Sequence, residues 1–247
     1  MKEEFIAGRN PVAEALRSGR ALNKVMVQDG ARGVTEIIAA AGKKAWRWNL
    51  LKATNWINLH GECAIRRGCL CCAGRVKTLE DALKKAAAKG EAPFLLLLDE
   101  LQDPQNLGAL IRTADAAGVH GILLPKRRSC PLNAVVAKIS AGAVEYVPVI
   151  QIGNIVQQLK DLKKQGFWVA GADMDGESYT KANLTGPLVL VIGAEGKGLG
   201  RLVKENCDII VSLPMQGGVN SLNAAAAGAV LMYEVVRQRG QEAAENA

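Results

Sequence analysis

From Phe94 onward the chain alternates short, wholly apolar runs with amphipathic stretches, and this alternation constrains the fold more than any other feature. The apolar runs are "FLLLL", "GILLP", "YVPVI", "FWVAGA", "LVLVIG" and "DIIVSLP". Between them lie "NLGALIRTADAAG", "LNAVVAKISAGA" and "IVQQLKDLKKQ", and a last helix is expected over about residues 221–239. Strands that are apolar at consecutive positions are buried on both faces, so the pattern predicts an α/β domain over 93–247: a mainly parallel sheet with helices on both faces. Sites in such sheets form where strands give way to loops.

Before this domain, "TLEDALKKAAAKGEA" reads as a helical linker over 77–92. Residues 1–76 then form a smaller domain, with "KVMVQ" as a strand and "VTEIIAAAGKK" as a helix. There is no internal repeat. The start, "MKEEFIAGRN", lacks the apolar core of a signal peptide, and no apolar run approaches the roughly 20 residues of a membrane span. A soluble, cytoplasmic protein with no membrane partner is expected, its six cysteines reduced. The net charge of +7 suits an anionic partner.

Three runs carry candidate chemistry. In "DPQNLGALIRTADAAG", Asp103 and Pro104 signal helix entry, with Asn106 near the helix start and Arg112 six residues on. The bland alternative is a capped helix bearing a surface arginine. In "VIGAEGKGLG", glycines 193, 196, 198 and 200 surround Glu195, and glycine lets backbone approach a ligand closely. A dinucleotide loop would look similar, but it would come early in the chain and be followed by a βαβ fingerprint. In "LPMQGGVNSLNAAAAGAVLMYE", Ser221 is a plausible N-cap for the terminal helix, while Asn223 adds little to helix propensity and invites another role. Small residues 224–227 would permit close approach of another part of the chain or of a partner.

In order and spacing the three runs resemble the SpoU/TrmH family of RNA ribose 2'-O-methyltransferases. "GRNPVAEAL" resembles the start of that family's L30e-like RNA-binding domain, and "YEVVRQRG" its C-terminus. The resemblance covers the whole chain and is closest to the two-domain subgroup that methylates a guanosine in 23S rRNA. It implies a SPOUT fold with a deep trefoil knot, a homodimer with active sites at the subunit interface, and S-adenosylmethionine as methyl donor. By resemblance, Gly193, Leu213 and Leu222 contact the donor, and Arg112, Asn106, Glu195, Ser221 and Asn223 form the catalytic group. Arg112 is either the base for the ribose hydroxyl or a charge that stabilises the alkoxide while Glu195 or a phosphate takes the proton. Removing a proton from an arginine at neutral pH costs roughly 7 kcal/mol. No metal is implied. The RNA partner would be 23S rRNA or a large-subunit assembly intermediate, read by Arg9, Asn10 and Lys24 and held near the site by Lys126, Arg127 and Arg128. Solvated surface roles are the alternative for all six. A non-catalytic rRNA-binding protein and a tRNA methyltransferase of the same family are the competing functions.

Residues 46–77 depart from the family pattern. They hold Trp46, Trp48, Trp56, Cys63, Cys69, Cys71 and Cys72, with neither helical nor strand periodicity, and supply five of the seven net positive charges. His60 and the cysteines match no common zinc spacing. A pair of compensating frameshifts accounts for the segment: codons for residues 55–66 read from their third base can encode "LDKLARGVRHQ", which resembles the family's N-terminal domain. Resequencing the gene is expected to restore a family-like frame. Confirmation of the written frame together with an ordered domain would overturn that expectation.

Overall fold

The computed structural model describes residues 5–18, 25–28, 34–43, 48–51, 69–72, 78–194, 196 and 198–245. By contacts the chain divides into two units, Met1–Val76 with Leu132–Tyr146, and Lys77–Pro131 with Val147–Ala247.

In the first unit, β1 (Phe5–Ala7), β2 (Val25–Gln28), β3 (Trp48–Leu51) and β4 (Cys69–Cys72) make a sheet in the order β1-β4-β2-β3. The pair β2 and β3 is parallel, and β4 runs antiparallel to both β1 and β2. Two strands thus lie inside the stretch where the sequence shows no periodicity, because pairing with β1 and β2 places them. Helices α1 (Arg9–Arg17) and α2 (Thr35–Lys43), with Val34 just before α2, supply a core of Val12, Ala15, Leu16, Val34 and Ile37 against Val25 and Val27. Helix α5 (Ala134–Ile139) and the short 3-10 turn Ala143–Glu145 belong to this unit, with Ala137 in its core. The Tyr146 hydroxyl donates to the Glu14 carboxylate.

The second unit is built on six parallel strands in the order β10-β8-β9-β5-β6-β7, the α/β architecture expected. These are β5 (Phe94–Leu98), β6 (Gly121–Pro125), β7 (Val149–Ile152), β8 (Trp168–Ser178), β9 (Leu188–Ile192) and β10 (Ile209–Ser212). All five residues of β5, of β6 and of β9 are buried, the signature of a sheet covered on both sides. Helix α3 (Leu79–Lys89) opens on a Thr78–Asp81 capping box and ends at left-handed Gly90, burying Ala82 and Ala86. Helix α4 (Pro104–Ala116) starts where Asp103 accepts the Asn106 N–H at 3.0 Å and proline takes the first position. Helices α6 (Ile155–Lys164) and α7 (Arg201–Glu205) come next, and α8 (Ala224–Glu245) closes the chain.

Helix α8 packs closely on α4 at Gly228, where a Cβ would lie 2.4 Å from Leu110 Cδ2 and make that side chain shift. Toward its other end, the Arg239 guanidinium lies 5.2 Å over the Phe94 ring and donates to the carbonyls of Ala92 and Gly186. Beside it is fully buried His120, whose Nδ1 accepts the Phe94 N–H at 3.0 Å while Nε2 lies 3.0 Å from the Glu91 carboxylate. No described helix is long and apolar enough to cross a membrane.

Burial lowers the His120 pKa, against the raising effect of Glu91. The neutral ring therefore stabilises the fold above its unfolded value of about 6.5, and that contribution is lost as pH falls through the lowered folded value. Thermal melting should drop between pH 7 and 5. The His120→Leu variant should flatten that dependence and cost about 1–3 kcal/mol at neutral pH, because the Phe94 N–H loses its acceptor.

Candidate active site

Because all six strands run the same way, their C-terminal ends share one edge. Register aligns Leu98 of β5, Ile192 of β9 and Ala172 of β8 there. Residues at this edge build the site: Asp99 after β5, Asp173 within β8, Gly193 after β9 and Leu213 after β10.

The glycine loop after β9 folds back on itself. Ala194 and Gly198 exchange backbone hydrogen bonds of 3.1 and 3.0 Å, and Gly196 and Gly198 take positive φ. A Cβ at Gly193 would sit 2.3 Å from the Gly198 carbonyl, so only glycine allows this turn. Its far end is pinned by Asp99, whose Oδ2 accepts the Gly200 N–H at 3.0 Å. Burial pushes the Asp99 carboxyl up, partly opposed by that hydrogen bond.

The loop, the strand ends and the start of α8 enclose a cavity of about 220 Å³. Ile192, Val211, Leu213, Leu222 and Leu231 give it apolar walls, and Gly193, Asn220 and Ser221 add polar groups. Asp173 contributes a carboxylate. Apolar walls with a few converging polar groups suit a small amphiphilic ligand.

Next to this cavity the first and third motifs meet. Asn223 Nδ2 donates to Asn106 Oδ1 at 2.9 Å, and Asn223 Oδ1 accepts the N–H groups of Ala225 and Ala226. Asn223 thus caps α8, which begins at Ala224, and Ser221 is not the N-cap expected from the sequence. Ser221 instead lies exposed on the cavity wall. The pair of asparagines explains the preference: one amide both caps a helix and satisfies Asn106, which is buried.

The chain matches the model of the "SpoU rRNA Methylase family" over residues 93–233 and that of "RNA 2'-O ribose methyltransferase substrate binding" over 5–50. It is 41% identical over 244 residues to YacO of Bacillus subtilis, named for the TrmH family of tRNA/rRNA methyltransferases, covering 96% of this chain and 97% of YacO. A relative named for the same family, from Staphylococcus haemolyticus, is 38% identical and is covered to 98% of both chains. The chain belongs to the SpoU rRNA methylase family. Its enzyme class is therefore RNA methyltransferase. Its fold is similar to that of a TrmH-family protein of Porphyromonas gingivalis (TM-score 0.77, 25% identity, 95% of this chain and 90% of the other). It is also similar to the SpoU methyltransferase AviRb of Streptomyces viridochromogenes, solved with AdoMet (TM-score 0.81, 24% identity, 96% and 90%).

Within this methyltransferase, Gly193, Leu213, Ser221 and Leu222 converge on one cavity, and Asn106 and Asn223 join beside it. Arg112 is exposed on α4 and does not line that cavity. Glu195, Lys24, His60 and Cys63 lie outside the described residues. Arg9 and Asn10 are exposed at the start of α1. Lys126 and Arg127 are exposed after β6, whereas Arg128, at positive φ, donates to Glu100 at 2.9 Å and is not a simple open cation. Among the described residues no cluster of metal ligands occurs. Sequence reasoning missed Asp99, Asp173, Met174 and Met215. The signal for Asp173 was present: "GADMDG" turns from apolar to acidic midway along a strand.

Replacing Gly193 by alanine should force the loop open. Methyltransferase activity is expected to fall by about 100-fold, as for a misplaced reacting group, with circular dichroism little changed. Undiminished activity would contradict the loop's part in the site.

Proposed function

We propose that this chain methylates the 2'-hydroxyl of a guanosine ribose in 23S rRNA, in the cytoplasm, using S-adenosylmethionine and acting as a homodimer. The observation that carries the reading is the cavity at the C-terminal edge of the sheet, where Gly193, Leu213, Ser221 and Leu222 converge beside the Asn106–Asn223 pair. Its fit to the donor supports it: Ile192, Val211 and Leu231 suit a flat adenosyl group, and Asp173 suits a cation. When bound, the donor supplies an electrophilic methyl group.

The chain's residues orient the ribose and manage its proton. Asn106 and Asn223 fix the floor of the site, Ser221 faces the reacting centre, and Arg112 stabilises charge on the 2'-oxygen, with Glu195 or an RNA phosphate accepting the proton. The exposure of Arg112, away from the cavity of its own chain, supports an active site completed across a two-fold axis. Exposed Val230, Tyr233 and Val236 on α8 support a partner on that helix. The substrate-binding match over 5–50 supports RNA reading by the N-terminal unit, with Arg9, Asn10 and Lys24 as contacts, and Lys126 and Arg127 near the site. The knot is part of this reading, as is domain organisation into 1–76, 77–92 and 93–247.

The test is incubation with labelled S-adenosylmethionine and undermodified 23S rRNA, followed by nucleoside separation. We expect 2'-O-methylguanosine. Transfer to tRNA instead would replace the substrate, and donor binding without any product would favour an assembly protein. Arg112→Lys should lower the rate at every pH, because a lysine cannot reproduce the planar fork. A rate rising with pH through the lysine range would return Arg112 to the role of base.

A further inference from the structure

Asp173 is the one charged side chain among the described residues that line the cavity. It is largely buried, its side chain only 13% exposed. Its Oδ1 lies 3.0 Å from Lys204 Nζ on α7, and the same ammonium is 3.1 Å from Oδ2 of Asp175, which is exposed. Two carboxylates and one ammonium leave this group with a net charge of one negative unit. The other carboxylate oxygen, Oδ2, faces the glycine loop, where a Cβ at Gly198 would lie 3.0 Å away. Burial works against the charged form of Asp173, but the Lys204 ammonium and the N–H groups of Asp175 and Leu199 outweigh it and hold the carboxyl below its usual range.

Methyl transfer changes one property of the donor above all others. The sulfonium loses its positive charge, and the thioether product keeps the same adenosyl and amino-acid groups. A fixed negative charge in the cavity wall separates the two by Coulomb energy alone. We propose that Asp173 is the charge-selecting residue of the donor site: it favours the sulfonium donor over the thioether product and so promotes exchange after each turnover. Lys204 sets the strength of the bias, because its ammonium offsets part of the carboxylate field. This inference rests on the donor reading above.

The two side chains have opposite charges, so removing either one should move selectivity in opposite directions. Dissociation constants for S-adenosylmethionine and S-adenosylhomocysteine are measured by calorimetry on the full-length protein. In Asp173→Asn the preference for the donor over the product should fall by about fivefold, as for charges several ångströms apart in a partly wet site. In Lys204→Gln it should rise. Added salt should narrow the difference between the variants. If both variants weaken both ligands by the same factor, the ion pair is only a clamp on the loop and the proposal is overturned. The proposal also fails if the ratio does not move. Should Asp173→Asn not fold, Lys204→Gln alone decides, since a fall or no change in its ratio contradicts the account. If the wild type binds neither ligand, it is the donor reading that fails.

Discussion

One amide, that of Asn223, holds the site together. It donates to buried Asn106 from the first motif and caps the helix that carries the third. Breaking it would take a hydrogen bond from buried Asn106 and free the first turn of α8, a double penalty at one position. Four residues into α8, Gly228 brings the helix so close to Leu110 that a Cβ there would force the leucine side chain to shift. Position and direction of α8 are thus fixed near the cavity by an amide pair and by a missing side chain.

The far half of the helix is fixed differently. Arg239 covers Phe94 and takes two backbone carbonyls at the N-terminal edge of the sheet, and Gln238 bonds the backbone of Ala182 and Leu184. These contacts separate two tasks along one helix. One end faces the strand edge that carries the cavity; the other secures the helix to the opposite edge. The glycine loop gains its shape in a comparable way, through Gly193 sterically and through Asp99 at its far end. Polar groups that look catalytic by type, such as Asp99, therefore include ones whose work is to hold backbone.

Much of this is legible in the sequence for physical reasons. Runs such as "FLLLL" and "LVLVI" can only be doubly buried strands, and Asp103 with Pro104 marks the start of α4 by capping chemistry that depends on neighbours alone. The start of α8 is harder to read because Ser221 and Asn223 are both good caps, and the choice is made by Asn106, which lies 117 positions away in sequence. Strands β3 and β4 are invisible there because their pairing is long range and their composition lacks alternation. Asp173 escapes notice although "GADMDG" turns acidic midway along a strand, because such an acid means little until the fold places it on the cavity with Gly193 and Lys204 brings its charge into account. The exposed Arg112 fits the surface-arginine alternative, but its absence from the cavity wall cannot be read, since helical periodicity alone does not say which face meets a cavity.

The central claim is that the C-terminal edge of the sheet, between the glycine loop and the start of α8, is where the methyl donor binds. A crystal structure of the protein soaked with S-adenosylmethionine tests it most directly. The account predicts the adenosyl group against Ile192, Leu213 and Leu231, with its sulfur toward the Asn106–Asn223 pair. Donor bound elsewhere, with this cavity empty, would contradict it.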